Sequence, residues 1–390
     1  MSQPKKLLVV DVAALGWDLV QRHPPADSRL VFHPAATVFP AVTCPVQAAF
    51  RTGRPPVACG LESNGIFLRA VRRVSFWEQS ADLVRGDRIW RAFRARGKKV
   101  GLLFWQQSLG EQADLLLSPK PIHKHHGGML QDCYSRPPDL YARLCADVGR
   151  PFNLMHYWGP LASHRSSAWI TAATCAVLQA PDLAPDLLLT YLPHLDYDLQ
   201  RHGPAGPQAD RAVQQLQADL ATLWQTAGAA GYDVLVFGDY AIAPVDGAPV
   251  FPNRALRAAG LFQVREVQGR AYHDFFDSAA FAMVDHQLAQ VVVFDPARRA
   301  AVRRALEQLE GVGAIHERDG DFLVAAQPGR WFAYPWWTDH SAAPDYAGHV
   351  DIHNKPGYDP GELFWGWPPG RVSQDATRVR GTHGLAGPGQ

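Results

Sequence analysis

The chain has 390 residues, of which 47% are apolar and 19% are charged, and its formal net charge at pH 7 is +1. With a charge so close to zero, the chain has no overall positive field to attract nucleic-acid polymers or anionic membranes. No segment approaches the roughly 18 consecutive apolar residues that a membrane span needs, and the length suffices for one large domain with a smaller lobe.

Two further features indicate a reducing compartment. The five cysteines are widely spread and include no C-x-x-C pair, which argues against a disulfide framework. The apolar run near the N-terminus is short and carries Asp11 in its middle, unlike a secretory signal peptide. We therefore expect a cytoplasmic protein.

The first predicted element in chain order is a buried strand at residues 7–11. Its sequence, LLVVD, is a continuous apolar run that ends in an acid. This pattern is typical of a central strand in a parallel sheet, and it delivers Asp11 to the carboxyl edge of that sheet.

Residues 38–53 combine an extended entry, a hydroxyl and a thiol between two prolines, and a run of small residues that ends at Gly53. Pro45 suits the first turn of a helix because it has no N–H group to leave unpaired. Thr43 is therefore predicted at or just before a helix N-terminus, where free N–H groups and the helix dipole favour an anion such as phosphate. Thr43 is then either an N-cap or a nucleophile toward phosphorus.

Further along the chain, buried strands alternate with helices. Residues 100–105, 186–192 and 233–239 are apolar runs of strand length, and residues 207–227 carry their apolar side chains on one helical face. The alternation predicts an α/β fold with a mostly parallel sheet.

Acidic residues follow these strands at matching positions. Asp196 comes shortly after the strand at 186–192, and Asp239 ends the strand at 233–239. Any one of them is explained as a helix cap or a solvated loop residue. Ligand sites in such sheets form at the carboxyl ends of the strands, so we predict that Asp11, Asp196 and Asp239 converge. Carboxylates beside Thr43 favour divalent cations, which lower the pKa of an attached hydroxyl and neutralise phosphoryl oxygens.

The pattern of predicted strands and helices changes between residues 246 and 348. Residues 279–293 are predicted as strand, residues 296–310 as helix and residues 322–324 as a second short strand. We interpret this unit as a smaller α+β cap at 246–348, inserted into a catalytic α/β core at 1–245, to which the chain returns at 349–390.

Two histidine-containing segments follow the cap. Residues 349–353 alternate strictly, so a strand there would place His349, Asp351 and His353 on one face, either as a metal-binding triad or as a polar strand face. His383 lies between two glycines, which suggests a close backbone approach.

Together these motifs resemble the nucleotide pyrophosphatase/phosphodiesterase branch of the alkaline phosphatase superfamily, in the same order and over most of the chain. Residues 39–45, FPAVTCP, are similar to the nucleophile motif of that family, with Thr43 as the attacking residue. Residues 60–65 resemble the segment whose asparagine, here Asn64, donates to the phosphoryl oxygens.

The metal-binding motifs of the family also have counterparts. Asp11 looks like its first metal carboxylate, and Asp196, seven residues before Gly203, matches the acid of D-x-x-x-H-x-x-G-P. Asp239 matches the acid of D-H-G, and His383 looks like the last metal histidine.

The resemblance implies an alkaline-phosphatase-like sheet, two zinc-like ions and a covalent phosphothreonine intermediate. One ion would be held at the positions of Asp11, Thr43 and Asp239 with a histidine, and the other at those of Asp196 and His383 with a histidine.

The chain departs from the family at two of these ligands. Gln200 and Tyr240 stand where the family has histidines. The loss of imidazole nitrogens biases the sites toward harder ions such as manganese or magnesium, or empties one of them. His353 or His286 reaching in from the side of the cap is a hypothesis for a replacement ligand.

The sequence thus predicts a metal-dependent hydrolase of small-molecule phosphate esters, with phosphodiester or pyrophosphate cleavage implied by the resemblance. The alternatives are a phosphomonoesterase and a catalytically degenerate protein that binds phosphate esters on the same fold. A sulfatase-like hydrolase is disfavoured because Cys44 is one residue away from the nucleophile position. No nucleic-acid or membrane partner is expected, and the oligomeric state stays open.

Overall fold

The structure is a computed structural model that describes residues 6–25, 27 and 30–387. The strands are β1 (Lys6–Val12), β2 (Gly65–Leu68), β3 (Arg73–Phe76), β4 (Val100–Leu103), β5 (Leu115–Pro119), β6 (Ile122–His123), β7 (Met129–Leu130), β8 (Cys133–Arg136), β9 (Leu187–Leu192), β10 (Tyr232–Gly238), β11 (Ala243–Pro244), β12 (Gln263–Val267), β13 (Arg270–Asp274), β14 (Ala280–Asp285), β15 (Leu288–Val293), β16 (Val312–Arg318), β17 (Asp321–Ala326) and β18 (Gly381–Thr382). The α-helices are α1 (Trp17–Arg22), α2 (Thr43–Thr52), α3 (Pro56–Cys59), α4 (Arg91–Arg94), α5 (Leu140–Val148), α6 (Arg165–Gln179), α7 (His194–His202), α8 (Pro207–Ala229), α9 (Pro252–Ala258) and α10 (Arg299–Glu307).

A six-stranded sheet in the order β10-β1-β9-β4-β5-β8 forms the centre of the fold. β1 runs parallel to both β10 and β9, β4 runs parallel to β9 and β5, and only the edge strand β8 is antiparallel. The apolar runs predicted as strands form β1, β4, β9 and β10, with boundaries shifted by up to two residues. This mostly parallel sheet flanked by helices confirms the predicted fold class.

Both faces of the central sheet are covered. Leu8 and Val10 of β1 point into a core shared with α5, α6, α7 and α8, while Val9 packs on the opposite face with Trp105 and Phe50 of α2. The helix predicted at 207–227 is α8, and its apolar face lies in the first of these cores. Continuous apolar strands are explained by this burial on both sides.

A second, antiparallel sheet in the order β14-β15-β17-β16 follows in the chain, with the buried face of α10 in the same core. Residues 279–293, predicted as one stretch of strand, form the hairpin of β14 and β15 instead. The predicted helix at 296–310 is a 3₁₀ turn, Pro296–Arg298, followed by the shorter α10. The division of the chain at residues 245 and 348 stays a prediction.

The strand predicted at 349–353 is wrong. Residues 352–354 form a turn, in which Asp351 accepts hydrogen bonds from the backbone N–H and the side-chain amide of Asn354. His349 lies beside Arg371, whereas His353 contacts the Phe76 carbonyl, so the expected common face does not exist. An aspartate that bonds its own following backbone offers the chain an alternative to strand pairing.

All five cysteines are free, as expected from their spacing. Within the described ranges, no helix has the length and apolar character needed to cross a bilayer.

Candidate active site

Thr43 is the first residue of α2, as the sequence predicted, and Pro45 lies in the first turn of that helix. The Thr43 side chain is buried, with 2% of its surface exposed. The preceding loop is fixed from the C-terminal end of the chain, because Ala41 donates its N–H to Gly384 and accepts from His383 Nδ1 at 2.9 Å. The helix N-terminus and His383 are therefore held together.

Two acids lie at the carboxyl ends of neighbouring strands. Asp11 is the next-to-last residue of β1. Asp239 directly follows β10, the parallel neighbour of β1. Asp239 Oδ1 accepts hydrogen bonds from the N–H groups of Ala14 and Tyr240. Burial raises the pKa of Asp239 well above its ordinary value, and the Asp11 carboxylate, and then Asp196, add to this effect. The structure thus brings the three predicted acids into one neighbourhood.

Among the residues that the structure describes, each of these two strand-end carboxylates has one oxygen without a hydrogen-bond donor. Gln47 Nε2 donates to Asp11 Oδ2 at 2.8 Å, but Asp11 Oδ1 and Asp239 Oδ2 are buried and accept no hydrogen bond. Burial raises the pKa of Asp11 to about 8, and the Gln47 hydrogen bond opposes this shift. Buried unpaired carboxylate oxygens are costly, and a hard cation is the kind of group that satisfies them.

Asp196 lies in the first turn of α7, after β9. Its Oδ1 accepts from Tyr240 Oη at 3.2 Å, and its Oδ2 accepts from Gln200 Nε2 at 2.6 Å. Burial raises the pKa of Asp196 to about 6, against the opposing effects of His286 and these two hydrogen bonds. Both oxygens of this carboxylate therefore have donors from the chain.

Tyr240 connects Asp196 with Thr43. Its Oη lies 3.4 Å from Thr43 Oγ and donates its only proton to Asp196. Burial, followed by the Asp196 and Asp239 carboxylates, raises the pKa of Tyr240 well above its ordinary value, so the phenol stays protonated. With that proton directed at Asp196, Thr43 is the donor in its contact with Tyr240.

Two histidines border this group. His383 stacks on Tyr240 with a centroid distance of 3.6 Å, and its Nε2 lies 3.8 Å from Asp196 Oδ1. His286 occupies the turn between β14 and β15 at a φ of 58°, and its ring lies 3.8 Å from that of His383. Burial, with the nearby His286, lowers the pKa of His383 well below its ordinary value.

Asp285 belongs to the same group of side chains, although the sequence analysis did not single it out. It accepts from Ser63 Oγ and from both the backbone N–H and the side-chain amide of Asn64, and it lies 2.8 Å from His286 Nδ1. Asn64 Oδ1 in turn accepts the N–H of Cys44 at 2.9 Å. An acid that ends a buried apolar run was the available signal, and it is the same signal that marked Asp11 and Asp239.

Asn64 differs from the expectation in one respect. The resemblance assigns its amide nitrogen to phosphoryl oxygens, whereas here one N–H of that amide is directed at Asp285 Oδ1, 3.3 Å away. His353 lies outside the group, since its Nδ1 is 3.1 Å from the Phe76 carbonyl and its ring faces His123. Of the two histidines considered on the side of the cap, the structure brings His286 to Asp196 and His383.

The residues that could hold metal ions form two sets, which differ in how well they suit a cation. Across the described part of the chain, no three His, Cys, Asp or Glu side chains are grouped as ligands of one ion. Asp11, Asp239 and Thr43 nevertheless fit a hard cation, because they offer oxygen donors with two unpaired carboxylate oxygens. Asp196, Gln200 and His383 fit less well, because each Asp196 oxygen already accepts one hydrogen bond and Gln200 directs an N–H group, which has no lone pair for a metal, at Asp196.

Solved structures share this fold. The chain superposes on phosphonoacetate hydrolase from Sinorhizobium meliloti 1021, in complex with phosphonoformate, with a TM-score of 0.59 and 16% identity over 85% of this chain and 83% of that one. Murine ectonucleotide pyrophosphatase / phosphodiesterase 5 gives a TM-score of 0.58 and 14% identity over 98% and 88% of the two chains. The human protein of the same name gives 0.58 and 12% identity over 98% and 87%.

No curated protein sequence matches the chain significantly. A profile of the family described as type I phosphodiesterase / nucleotide pyrophosphatase does match, over residues 7–359. That range includes Asp11, Thr43, Asp196 and Asp239, while His383 lies beyond it. Because the match extends over most of the sequence, the chain belongs to the type I phosphodiesterase / nucleotide pyrophosphatase family.

Proposed function

We propose that this protein hydrolyses phosphate esters through Thr43, with phosphodiester or pyrophosphate bonds as the preferred class. The observation that carries the proposal is the position of Thr43 Oγ at the start of α2, 3.4 Å from Tyr240 Oη, which itself donates to Asp196. A buried hydroxyl at a helix N-terminus is placed to attack a bound anion such as a phosphoryl group.

The hydrogen bonds provide a path for transfer of the Thr43 proton. Thr43 donates to Tyr240 Oη, and Tyr240 donates to Asp196 Oδ1, so a proton lost from Thr43 reaches Asp196 through the phenol. A carboxylate whose pKa is raised to about 6 accepts such a proton more readily than an exposed one, and catalytic bases work best near the operating pH.

A divalent cation would be held by Asp11, Asp239 and Thr43. When bound, it supplies positive charge that favours the threonine alkoxide and neutralises the phosphoryl oxygens. The Gln47 amide orients Asp11 for this role, and the N–H groups of Ala14 and Tyr240 orient Asp239.

The organic part of the ester has a candidate location beside this group. Phe76, Trp77, Trp158 and Tyr358, among others, form the wall of a small recess there, whose enclosed volume is about 10 Å³. Tyr358 also belongs to the site, because its ring stacks on His286 at 3.7 Å and its hydroxyl donates to Gln200. Aromatic walls favour an aryl or nucleoside group over a small alkyl group.

The proposal is tested by assaying bis-p-nitrophenyl phosphate, p-nitrophenyl phosphate and a phosphonate with zinc, manganese or no metal. We expect metal-dependent cleavage of the diester by the wild type, loss of turnover in Thr43→Ala and partial retention in Thr43→Ser, since serine keeps the hydroxyl. Intact-mass analysis after acid quenching should detect a phosphorylated wild-type chain. Undiminished turnover in Thr43→Ala would disprove the role of this residue.

A second candidate function is binding of phosphate esters without turnover. It is favoured by Gln200 and Tyr240, which give Asp196 hydrogen bonds where the family has metal-binding imidazoles. Saturable binding of the diester by the wild type without cleavage under any metal would support this function instead.

A further inference from the structure

The Asp196 side of the site is satisfied without an ion. Asp196 and Gln200 are four residues apart on α7, so they share one helix face, and the amide nitrogen of Gln200 lies 2.6 Å from Asp196 Oδ2. Tyr240 supplies the donor for Oδ1. The two donors already compensate part of the Asp196 charge, so a cation adds less here than at a carboxylate oxygen that has no donor.

The orientation of the Gln200 amide is determined by a second partner. Tyr358 donates its hydroxyl to Gln200 Oε1 at 2.9 Å, which leaves the amide nitrogen facing Asp196. The opposite orientation would place the amide oxygen against the Asp196 carboxylate, which is repulsive. An amide N–H has no lone pair for a metal, so Gln200 positions Asp196 instead of acting as a ligand.

The position of Tyr240 beside Asp196 is fixed by packing. Tyr240 and His383 stack almost in parallel, with an interplanar angle of 2° and a centroid distance of 3.6 Å. The stacking holds Tyr240 in place, so that its hydroxyl keeps its position at Asp196 Oδ1. Tyr240 is itself a poor ligand, because its hydroxyl keeps its proton and directs it at Asp196.

Unlike Asp196, Asp11 and Asp239 lack donors from the described residues for some of their carboxylate oxygens. Asp11 and Asp239 are both fully buried, each with one oxygen that has no donor, and the two carboxylates repel one another. The ligands that the described residues offer here, Asp11, Asp239 and Thr43, are oxygen donors, which suit manganese or magnesium better than zinc.

We infer that this chain binds a single divalent ion, at Asp11 and Asp239, and that Gln200 and Tyr240 close the Asp196 position to a second one. The inference deepens the proposed function and rests on it for the location of the phosphoryl group. The number of bound ions, however, is measured without turnover.

The test begins with metal counting. The purified protein is loaded with Mn²⁺ or Zn²⁺, free metal is removed, and bound metal is measured by elemental analysis and by calorimetric titration. We expect one ion per chain in the wild type, none in Asp11→Asn and one in Asp196→Asn. A wild-type count other than one, or loss of the ion in Asp196→Asn, would overturn the inference.

Placing histidines at residues 200 and 240 tests whether Gln200 and Tyr240 prevent a second ion from binding. The double variant Gln200→His/Tyr240→His removes both hydrogen bonds to Asp196 and provides two imidazoles, so it should bind two ions. The control Gln214→His/Tyr134→His adds two histidines at exposed positions and should still bind one. A folded Gln200→His/Tyr240→His protein that binds one ion would contradict the closing role.

His286 provides the competing outcome. Its Nε2 is buried and has no hydrogen-bond partner in the described part of the chain, and its ring neighbours Asp196 and His383. Two ions in the wild type, reduced to one in His286→Ala, would show that His286 supplies a second site and that the single-ion inference is wrong. Failure of the proposed function is read separately, from the activity of Thr43→Ala.

Discussion

Gln47 offers the sharpest test of how the site is built. It is fully buried in α2, one turn after Thr43, and its amide connects two parts of the protein. Nε2 donates to Asp11 Oδ2 at 2.8 Å, and Oε1 accepts the N–H of Gln106 at 2.7 Å. Gln47→Met keeps the size and flexibility of the side chain while removing both hydrogen bonds.

The expected cost follows from the two partners. The buried Gln106 N–H would lose its acceptor, which costs about 1–3 kcal/mol. Asp11 would lose the donor to Oδ2, while its Oδ1 already has none, and this loss costs about another 1 kcal/mol. We therefore expect Gln47→Met to lower the free energy of unfolding by about 2–4 kcal/mol.

Urea denaturation of the metal-free protein at pH 7 measures this change. Gln214→Met on the exposed side of α8 is the matched control, and it should stay within about 0.5 kcal/mol of the wild type. Because Gln47 orients a metal-binding carboxylate, Gln47→Met should also weaken Mn²⁺ binding by about 10–100-fold. A stability loss below about 1 kcal/mol would refute the reasoning, since it would mean that neither buried partner depends on Gln47.

Two further predictions concern buried titratable residues, His194 and Lys355. Burial lowers the pKa of His194 from 6.5 to about 3, because the folded protein favours the neutral imidazole. The unfolded chain therefore takes up a proton at His194 first as the pH falls, so the free energy of unfolding is highest above pH 6.5 and decreases toward pH 3. Urea denaturation at pH 7 and pH 5 should show about 2 kcal/mol of acid destabilisation that His194→Gln abolishes, and an unchanged pH dependence in that variant would contradict this. Lys355, which is 1% exposed, lies 2.7 Å from Asp359 and 2.8 Å from Glu362, so Lys355→Met should cost about 3–5 kcal/mol by leaving these carboxylates uncompensated. Thermal unfolding measures it against Lys124→Met on an exposed loop, and equal melting temperatures would exclude the expected role of Lys355.

Local patterns in the sequence were sufficient for the main elements of the fold. The apolar runs of β1, β9 and β10 and the helical face of α8 follow from burial periodicity, which depends on neighbouring residues alone. The placement of Thr43 at the start of α2 followed from Pro45 for the same reason.

Patterns that depend on competing local interactions were less informative. The alternation at 349–353 predicted a strand, but hydrogen bonds from Asn354 to Asp351 favour a turn there. The hairpin that carries Asp285 and His286 was predicted as continuous strand, and Gln47 carried no signal of its own. These residues became recognisable only through their partners.

The sequence by itself determined which acids stand at the ends of which strands, and that histidines are missing at residues 200 and 240. Only the tertiary structure decided what replaces them. Tyr240 follows β10 and reaches Asp196 beyond the neighbouring strand β1, as well as Thr43. The Gln200 amide is oriented by Tyr358, which is 158 residues away in the chain. Hydrogen-bond partners so distant in the chain are chosen by the packing of whole elements, and no short pattern encodes that choice.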